Sequence, residues 1–319
     1  MSAPWPERPG CPHNVLKASS EPKTVVGVSL GSSRRDHRGR IHLSGVPVLV
    51  ERRGTDGNLE RAVDLLRQLD GQVDAIGLGG IDRWLIVDGE RYAIRDAERL
   101  VAAVTQTPVL DGKGLKEVWE PRVIDALIAR QIINPEDAVL MVSALDRFGM
   151  ADTFYRRGFP TVAGDLIFAA QVDYPILSRA ELVRLAKHLL PEVVKRPFAE
   201  LYPIGAEQDA ASDERYRRYF DAAQIIAGDF HLIRRYWPNT LEGKVIITNT
   251  TTAADVEAAR ARSAKWLITT TPEIDGRSFG TNVMEAAVVA VSGVTPDHAA
   301  WAKTVEDMDI GFGALLLNP

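Results

Sequence analysis

Cysteine is almost missing from the chain: Cys11 is its single thiol, so no disulfide can form within it. The chain also lacks any apolar run near the roughly 20 residues that cross a bilayer, and its polar, proline-rich start has no apolar signal-peptide core. Basic charge is not in excess, because the net charge is −5 and the pI about 5.8, whereas a general nucleic-acid binder is normally basic. These absences predict a cytoplasmic protein that acts on a small molecule, with neither nucleic acid nor a membrane as a partner.

Length and patterning predict two domains of the α/β class. The 319 residues are 45% hydrophobic and 25% charged, which is ordinary for a globular protein of more than one core. Residues 1–22 are proline-rich and have no hydrophobic periodicity, so we expect a mobile tail there. We predict an N-terminal mixed α/β domain over 23–134 that binds and converts the substrate. A C-terminal Rossmann-like, doubly wound parallel sheet is predicted over 135–319.

Short apolar runs alternate with amphipathic segments along the chain, which is the pattern of a parallel sheet with helical crossovers. In the first domain we predict strands over 24–31, 46–53, 73–80 and 108–110. In the second domain we predict strands over 138–142, 160–163, 223–228, 244–249 and 266–271.

Polar, glycine-containing loops follow several predicted strands, and ligands of α/β sheets bind at the carboxyl ends of strands. Hydroxyl, guanidinium and carboxylate groups there suit a small polyhydroxylated or carboxylated molecule. We predict that the substrate is held by Ser32, Ser33, Arg34, Arg53, Thr55, Asp56 and, from the second domain, Arg277. Turns need the same residue types, so each loop taken alone also has a purely structural interpretation.

Three residues are predicted to be catalytic. His37 is a plausible acid or base near neutral pH, with a solvent-exposed loop histidine as the alternative. Asp111 with Lys113 is the second candidate, because a lysine beside a carboxylate can move a proton to and from an oxygen; Lys116 could replace Lys113. The alternative for Asp111 is that it stabilises the start of the following helix.

The stretch from 138 to 165 has the length of a βαβ unit, with Asp165 where dinucleotide folds hold the ribose. We therefore predict NAD as the cofactor, without a metal, bound by Ser143, Asp146, Arg147, Gly149, Asp165, Asn249, Thr250 and Thr270. No basic residue directly follows Asp165, which favours NAD over its 2′-phosphate form. The glycine fingerprint is nearly absent, and Asp146 would repel a pyrophosphate unless Arg147 or a metal intervened.

The order of elements from Gly77 to Gly158 resembles the shikimate/quinate dehydrogenases. The motifs GSSRRDH, GTDGN, GLGGID, SALDRFGMA, GDFHLIRRY and GRSFGTNVMEA look like a bacterial family named quinate 5-dehydrogenase. The resemblance implies a two-domain fold and a Lys/Asp pair that handles the substrate hydroxyl proton while NAD(P) takes the hydride. The aspartate of that pair would fall on Asp111, but the chain has no lysine from Thr24 to Gly112.

The main hypothesis is an NAD-linked oxidoreductase for a small hydroxy or carbonyl compound, such as the cyclic hydroxy acid quinate. Two alternatives stay open. One is a non-redox lyase, isomerase or transferase for an anionic metabolite, and the other is a ligand-sensing protein with an enzyme-like fold. Assembly into a homo-oligomer is left open as well.

Overall fold

The computed structural model describes residues 21–197, 200, 214–274 and 276–319. All but the last two residues of the predicted mobile tail lie outside these ranges. The described residues form two lobes, each built on its own sheet. This confirms the predicted α/β class and the two-domain arrangement.

The first lobe is a five-stranded sheet in the order β2-β3-β1-β4-β7. Its strands are parallel except β2, which pairs antiparallel with β3. The strands are β1 (Lys23–Ser29), β2 (His37–Leu43), β3 (Val46–Gly54), β4 (Ala75–Gly79) and β7 (Val109–Leu110), and a separate hairpin comprises β5 (Trp84–Val87) and β6 (Glu90–Ala93). Asp88 and Gly89 turn that hairpin with φ angles of 53° and 82°, as a type I′ turn requires.

The second lobe is a six-stranded sheet in the order β15-β12-β11-β10-β8-β9. Its strands are β8 (Val139–Met141), β9 (Thr161–Ala163), β10 (Ile225–Ala227), β11 (Val245–Thr248), β12 (Trp266–Thr269) and the antiparallel β15 (Gly313–Leu316); β13 (Glu273–Ile274) and β14 (Arg277–Ser278) form a small hairpin. Counted along the chain, the order is 2-1-3-4-5 with an antiparallel edge strand. The 3-2-1-4-5-6 order of classical dinucleotide-binding sheets is absent, so the Rossmann-like detail is not confirmed.

Helices connect and cover the two sheets. They are α1 (Leu59–Leu69), α2 (Arg95–Val101), α3 (Lys113–Ala129), α4 (Phe148–Arg156), α5 (Asp165–Phe168), α6 (Arg179–Val193), α7 (Arg217–Ala222), α8 (Phe230–Tyr236), α9 (Ala253–Ala261), α10 (Thr281–Ser292) and α11 (Trp301–Met308). Side chains cap several starts: Asn58 accepts from the Arg61 N–H, and Thr252 with Asp255 forms a capping box.

The helix α10 lies within the predicted second domain by sequence but packs on the sheet of the first lobe, against β1 and β4. Glycines in those strands permit this approach. A Cβ on Gly27 would lie 2.6 Å from Val283 Cγ2, and a Cβ on Gly77 would lie 2.9 Å from the Asn282 carbonyl oxygen. One apolar cluster therefore continues from the first sheet through α10 and α3 into the second lobe.

Candidate functional site

A cavity of about 160 Å³ lies between the lobes, at the carboxyl ends of β1 and β4 on one side and of β10 and β11 on the other. This is where open α/β sheets place ligands. The cavity, called the cleft below, is lined mainly by polar and basic groups from both lobes: Ser29, Gly31, Ser32, Arg35, His37, Arg52, Gly79, Gly80, Asp229, His231, Asn249, Thr250, Arg277, Ser278, Phe279, Gly280, Asn282 and Val283.

Arg52 forms the wall of the cleft on the first lobe. Its guanidinium donates to the Ser32 carbonyl at 2.9 Å, to the Ser29 hydroxyl at 2.9 Å and to the Asp36 carboxylate at 3.0 Å. Burial, with the nearby charges of Arg35 and Arg277, lowers the pKa of Arg52 to about 10. A guanidinium under such repulsion gains stability when an anion is added to its surroundings.

Arg35 reaches across the cleft to the second lobe. It lies on the short 3₁₀ turn Ser33–Arg35, and its Nη1 is 2.5 Å from His231 Nε2. Its Nη2 is 3.5 Å from the Thr250 carbonyl oxygen and 3.8 Å from the Asp255 carboxylate. Burial, chiefly, lowers the pKa of His231, so the neutral imidazole is favoured beside the guanidinium.

Two nitrogen atoms in the cleft wall are buried without a hydrogen-bond partner among the described residues. They are Nη2 of Arg277 and Nε2 of His37. The His37 ring lies 4.9 Å from the Phe279 ring and is thereby held in place. Burial and the charge of Arg35 lower the pKa of Arg277, and within the described ranges no carboxylate lies within ion-pair distance of it.

Of the predicted substrate residues, Ser32 and Arg277 line the cleft, as does the predicted catalytic His37. The others do not line it. Arg34 is exposed, and Arg53 binds Glu51 at 2.8 Å. The remaining three hold the loops together: the Ser33 N–H donates to Asp56, while the buried Thr55 hydroxyl donates to the Ser29 carbonyl.

Arg35, Arg52, His231 and Asn282 line the cleft but were not among the predicted site residues. Adjacent residues of a strand face opposite sides, so choosing Arg53 instead of Arg52 selected the wrong face of β3. The strand glycines Gly27 and Gly77 were the available signal for the helix that carries Asn282, because glycine inside a strand marks a close backbone approach.

A second group of charged residues lies buried where the lobes meet. Lys116 on α3 contacts Asp82 of the first lobe at 2.9 Å and Asp146 of the second at 2.5 Å. Arg147 forms an ion pair with Glu120, and both side chains are fully buried. These five residues, with Lys113, are called the junction cluster below.

Protonation in the junction cluster is uneven. Burial and the neighbouring Asp146 raise the pKa of Asp82 to about 8, and Asp82 also hydrogen-bonds Asp146. The pKa of Asp146 is lowered by Lys116 and Arg147, which outweigh its burial. The two carboxyl groups therefore share a proton near neutral pH while Lys116 stays charged.

The predicted Asp111–Lys113 pair is not formed through its side chains. The Asp111 carboxylate accepts from the backbone N–H groups of Lys113 and Arg83, at 3.0 Å and 2.8 Å. The Lys113 ammonium donates to the Asp146 carbonyl at 2.9 Å and lies 3.3 Å from Glu117. The prediction of a side-chain pair is therefore wrong, because Asp111 ties down the start of α3.

The predicted cofactor residues are divided between the cleft and the interior. Asn249 and Thr250 line the cleft, whereas Asp146 and Arg147 belong to the junction cluster. The Asp165 carboxylate accepts from the N–H groups of Ala144 and Leu145, at 3.1 Å and 2.9 Å, so it closes the loop after β8 instead of facing a ligand.

Three further predicted cofactor residues have packing contacts. The Ser143 hydroxyl accepts from the Asp229 N–H at 3.0 Å, and Thr270 is fully buried. A Cβ on Gly149 would lie 3.1 Å from the Glu117 Cα, so glycine lets α4 approach α3.

Two family models together match most of the chain. Residues 114–311 match the family described as Domain of unknown function (DUF8754), and residues 24–111 match Domain of unknown function (DUF8753). The chain belongs to the first of these families, which covers more than half of it. No curated protein matches the sequence.

Several solved structures match most of the chain, at low identity and low TM-score. The arabinose binding protein AraP from Geobacillus stearothermophilus is 10% identical, with 93% of this chain and 97% of that chain covered and a TM-score of 0.38. An extracellular ligand-binding receptor from Rhodopseudomonas palustris is 9% identical, with 93% and 92% covered and a TM-score of 0.38. The periplasmic binding protein of an arabinose ABC transporter from Shewanella sp. ANA-3 is 10% identical, with 92% of each chain covered and a TM-score of 0.32.

Three expectations need correction. The matched families are described only as domains of unknown function and the similar structures are described as binding proteins or receptors, so the comparisons do not bear out the resemblance to shikimate/quinate dehydrogenases. The main hypothesis of an NAD-linked oxidoreductase is corrected with it. The predicted cytoplasmic location finds no support either, since these proteins are described as extracellular or periplasmic.

The described residues contain neither a membrane-spanning helix nor a cluster of metal ligands. None of their helices combines the length and apolar character needed to cross a membrane. No group of three or more His, Cys, Asp or Glu side chains in those ranges is placed to hold a metal ion.

Proposed function

We propose that the protein binds a small polar molecule in the cleft between its two lobes, as a ligand-binding or ligand-sensing protein. The observation that carries this proposal is the pair of buried nitrogen atoms, Arg277 Nη2 and His37 Nε2, which belong to residues lining one cavity and have no hydrogen-bond partner among the described residues.

Such atoms are costly in the free protein. A buried polar atom without a hydrogen bond costs about 1–3 kcal/mol. Most other buried atoms of this kind belong to Arg147, Glu120 and Glu117, which have an opposite charge within 4.0 Å. A ligand that accepts from the cleft nitrogen atoms offsets their cost, and binding to the folded state raises the melting temperature.

Both lobes supply groups to the cleft, which also supports binding. Ser32 and Arg52 come from the first lobe, while His231, Asn249 and Thr250 come from the second. A molecule held by both sets is enclosed between the sheets and loses contact with water, as small-molecule sites require.

The test is a thermal-shift and calorimetric screen of the full chain with neutral sugars, sugar phosphates, dicarboxylates and amino acids. We expect one class to raise the melting temperature and to bind with a stoichiometry of one. His37→Ala should weaken that binding at least tenfold, whereas His42→Ala, at an exposed position of β2, should not. If both variants retain full binding, the ligand binds outside the cleft.

A second candidate is a non-redox enzyme, for which the junction cluster, outside the cleft lining, holds the acid–base groups. Lys116, Asp82 and Asp146 combine a charged ammonium with two carboxyl groups that share a proton, which is the composition of an acid–base centre. Incubation with each ligand of the screen, followed by proton NMR in deuterated water, tests this candidate. The enzyme would be established if a ligand is converted or exchanges deuterium, and if Lys116→Met abolishes this reaction while retaining ligand affinity. If no ligand of the screen changes, the protein is not an enzyme for any of those ligands.

A further inference from the structure

The cleft has more positive charge than its own carboxylates balance. Arg35, Arg52 and Arg277 line one cavity, where burial, together with the charge of Arg35, lowers the pKa of both Arg52 and Arg277. Asp36 forms an ion pair with Arg52. Asp255 lies 3.8 Å from Arg35 and 3.0 Å from Arg234 and is shared between them.

Asp229 is the carboxylate in the cleft lining, and one of its oxygens is already engaged. That oxygen accepts from the N–H groups of His231 and Leu232 and so caps α8. Among the described residues no carboxylate lies at ion-pair distance from Arg277, so a bound anion would supply the charge opposite it.

The beginning of α10 lies at the wall of the same cavity. Gly280, at the N-cap, has no side chain to cap the helix, and Gly280, Asn282 and Val283 line the cleft. The first N–H groups of a helix of this length point toward anions and carry its positive dipole end. Arg277, three residues before the N-cap, reaches the same space from the side.

We propose that the ligand carries a phosphoryl group, bound by Arg277 and the start of α10 within the field of Arg35 and Arg52. Guanidinium and N–H donors that converge from several directions fit the three oxygens and two charges of a tetrahedral phosphate monoester better than a flat carboxylate with one charge. The uncharged part of the ligand faces Ser32, Asn249 and Thr250, whose hydrogen-bonding groups suit hydroxyls. This inference rests on the proposed function and names its ligand class.

Calorimetry of the full chain tests the inference with inorganic phosphate, ribose 5-phosphate, ribose, arabinose and malate. We expect ribose 5-phosphate to bind at least 30-fold more tightly than ribose, and inorganic phosphate to compete with it. Arg277→Gln should weaken ribose 5-phosphate at least tenfold, and Arg277→Lys, which keeps the charge, should weaken it less. Arg40→Gln, at an exposed position of β2, is the matched control and should change nothing. Far-ultraviolet circular dichroism and urea unfolding check that each variant folds.

The outcomes separate the two proposals. If ribose or arabinose binds as tightly as ribose 5-phosphate, and Arg277→Gln has no effect, the phosphoryl inference is overturned but the proposal of ligand binding in the cleft stands. Tighter binding of malate than of ribose 5-phosphate would also overturn the phosphoryl inference and leave the proposal of ligand binding standing. Absence of binding by all five probes overturns the phosphoryl inference, and ligand binding as such then stands or falls with the broader screen and its His37→Ala comparison.

Discussion

The cleft and the junction cluster are both rich in charge, but they use it differently. In the junction cluster each cation has a carboxylate within ion-pair distance: Lys116 has two and Arg147 has Glu120. In the cleft, Arg277 has no carboxylate at such a distance within the described ranges, and burial, with the charge of Arg35, lowers its pKa. Charge that is paired internally holds the lobes together, whereas charge that is left unpaired beside a cavity is available to a ligand.

Removing a partner from the paired region should have the largest effect on stability. Arg147→Met leaves the fully buried Glu120 without its cation, and breaking a buried ion pair costs about 3–5 kcal/mol. Urea unfolding followed by tryptophan fluorescence measures this loss. The double variant Glu120→Leu with Arg147→Met should recover much of it, because no charge is then left unpaired. A single variant within about 1 kcal/mol of wild type would show that the pair does not hold the junction.

The junction cluster should also make stability depend on pH. Burial raises the folded-state pKa of Asp82 to about 8, so its contribution is complete below the unfolded pKa near 4 and is lost as pH rises toward 8. A single such group changes the free energy of unfolding by at most about 1.4 kcal/mol per pH unit. Asp146 acts in the opposite sense, below about pH 4, because its pKa is lowered.

Asp82→Asn tests this pH dependence, because asparagine can still donate to Asp146 but cannot ionise. We expect stability to fall less steeply between pH 5 and pH 8 in the variant than in wild type, as measured by urea unfolding at four pH values. Some slope should remain, since burial also raises the pKa of Glu285 to about 8 and of Asp165 to about 6. Asp64→Asn, on the exposed face of α1, is the control and should keep the wild-type slope.

Much of the fold follows from the sequence, because local patterns determine it. The predicted strands are all present, within one to three residues at most ends. The short edge strand Gly313–Leu316 and the packing of α10 on the first sheet were not predicted, since each depends on contacts between residues far apart in the chain.

The candidate site was predicted less well than the fold. The loops after β1 and β3 were identified, but which side chain of each loop faces the cleft depends on strand register and turn geometry, and Arg53 was chosen where Arg52 lies in the wall. Lys113 was preferred to Lys116 for the same reason: helix phase decides which of them meets Asp82. The Asp146 carboxylate, which was predicted to repel a pyrophosphate unless a cation intervened, pairs with Lys116 at 2.5 Å.

The helix α10 packs on the sheet of the first lobe and lines the cleft with its first residues, and Gly77→Ala tests this packing. The added Cβ would lie 2.9 Å from the Asn282 carbonyl oxygen, which belongs to backbone and cannot move alone. We expect a loss of about 1–3 kcal/mol in the free energy of unfolding, as for other overpacked cores. Ligand affinity should fall as well, because Asn282 lines the cleft. Gly45→Ala, whose Cβ would meet nothing within 4 Å but whose φ of 80° is strained, separates backbone strain from displacement of the helix.

Removing the unpaired charge should have the smallest effect on stability and the clearest contrast with the paired region. Arg277→Met deletes a buried donor without a partner and relieves repulsion with Arg35, so the free energy of unfolding should stay within about 1 kcal/mol of wild type or rise. The same urea experiment that measures Arg147→Met measures this variant. Adding ligand should stabilise wild type more than the variant, because bound ligand shifts unfolding by mass action. A loss in the free protein as large as that of Arg147→Met would mean that Arg277 holds the fold, and the contrast between the cleft and the junction cluster would then be lost.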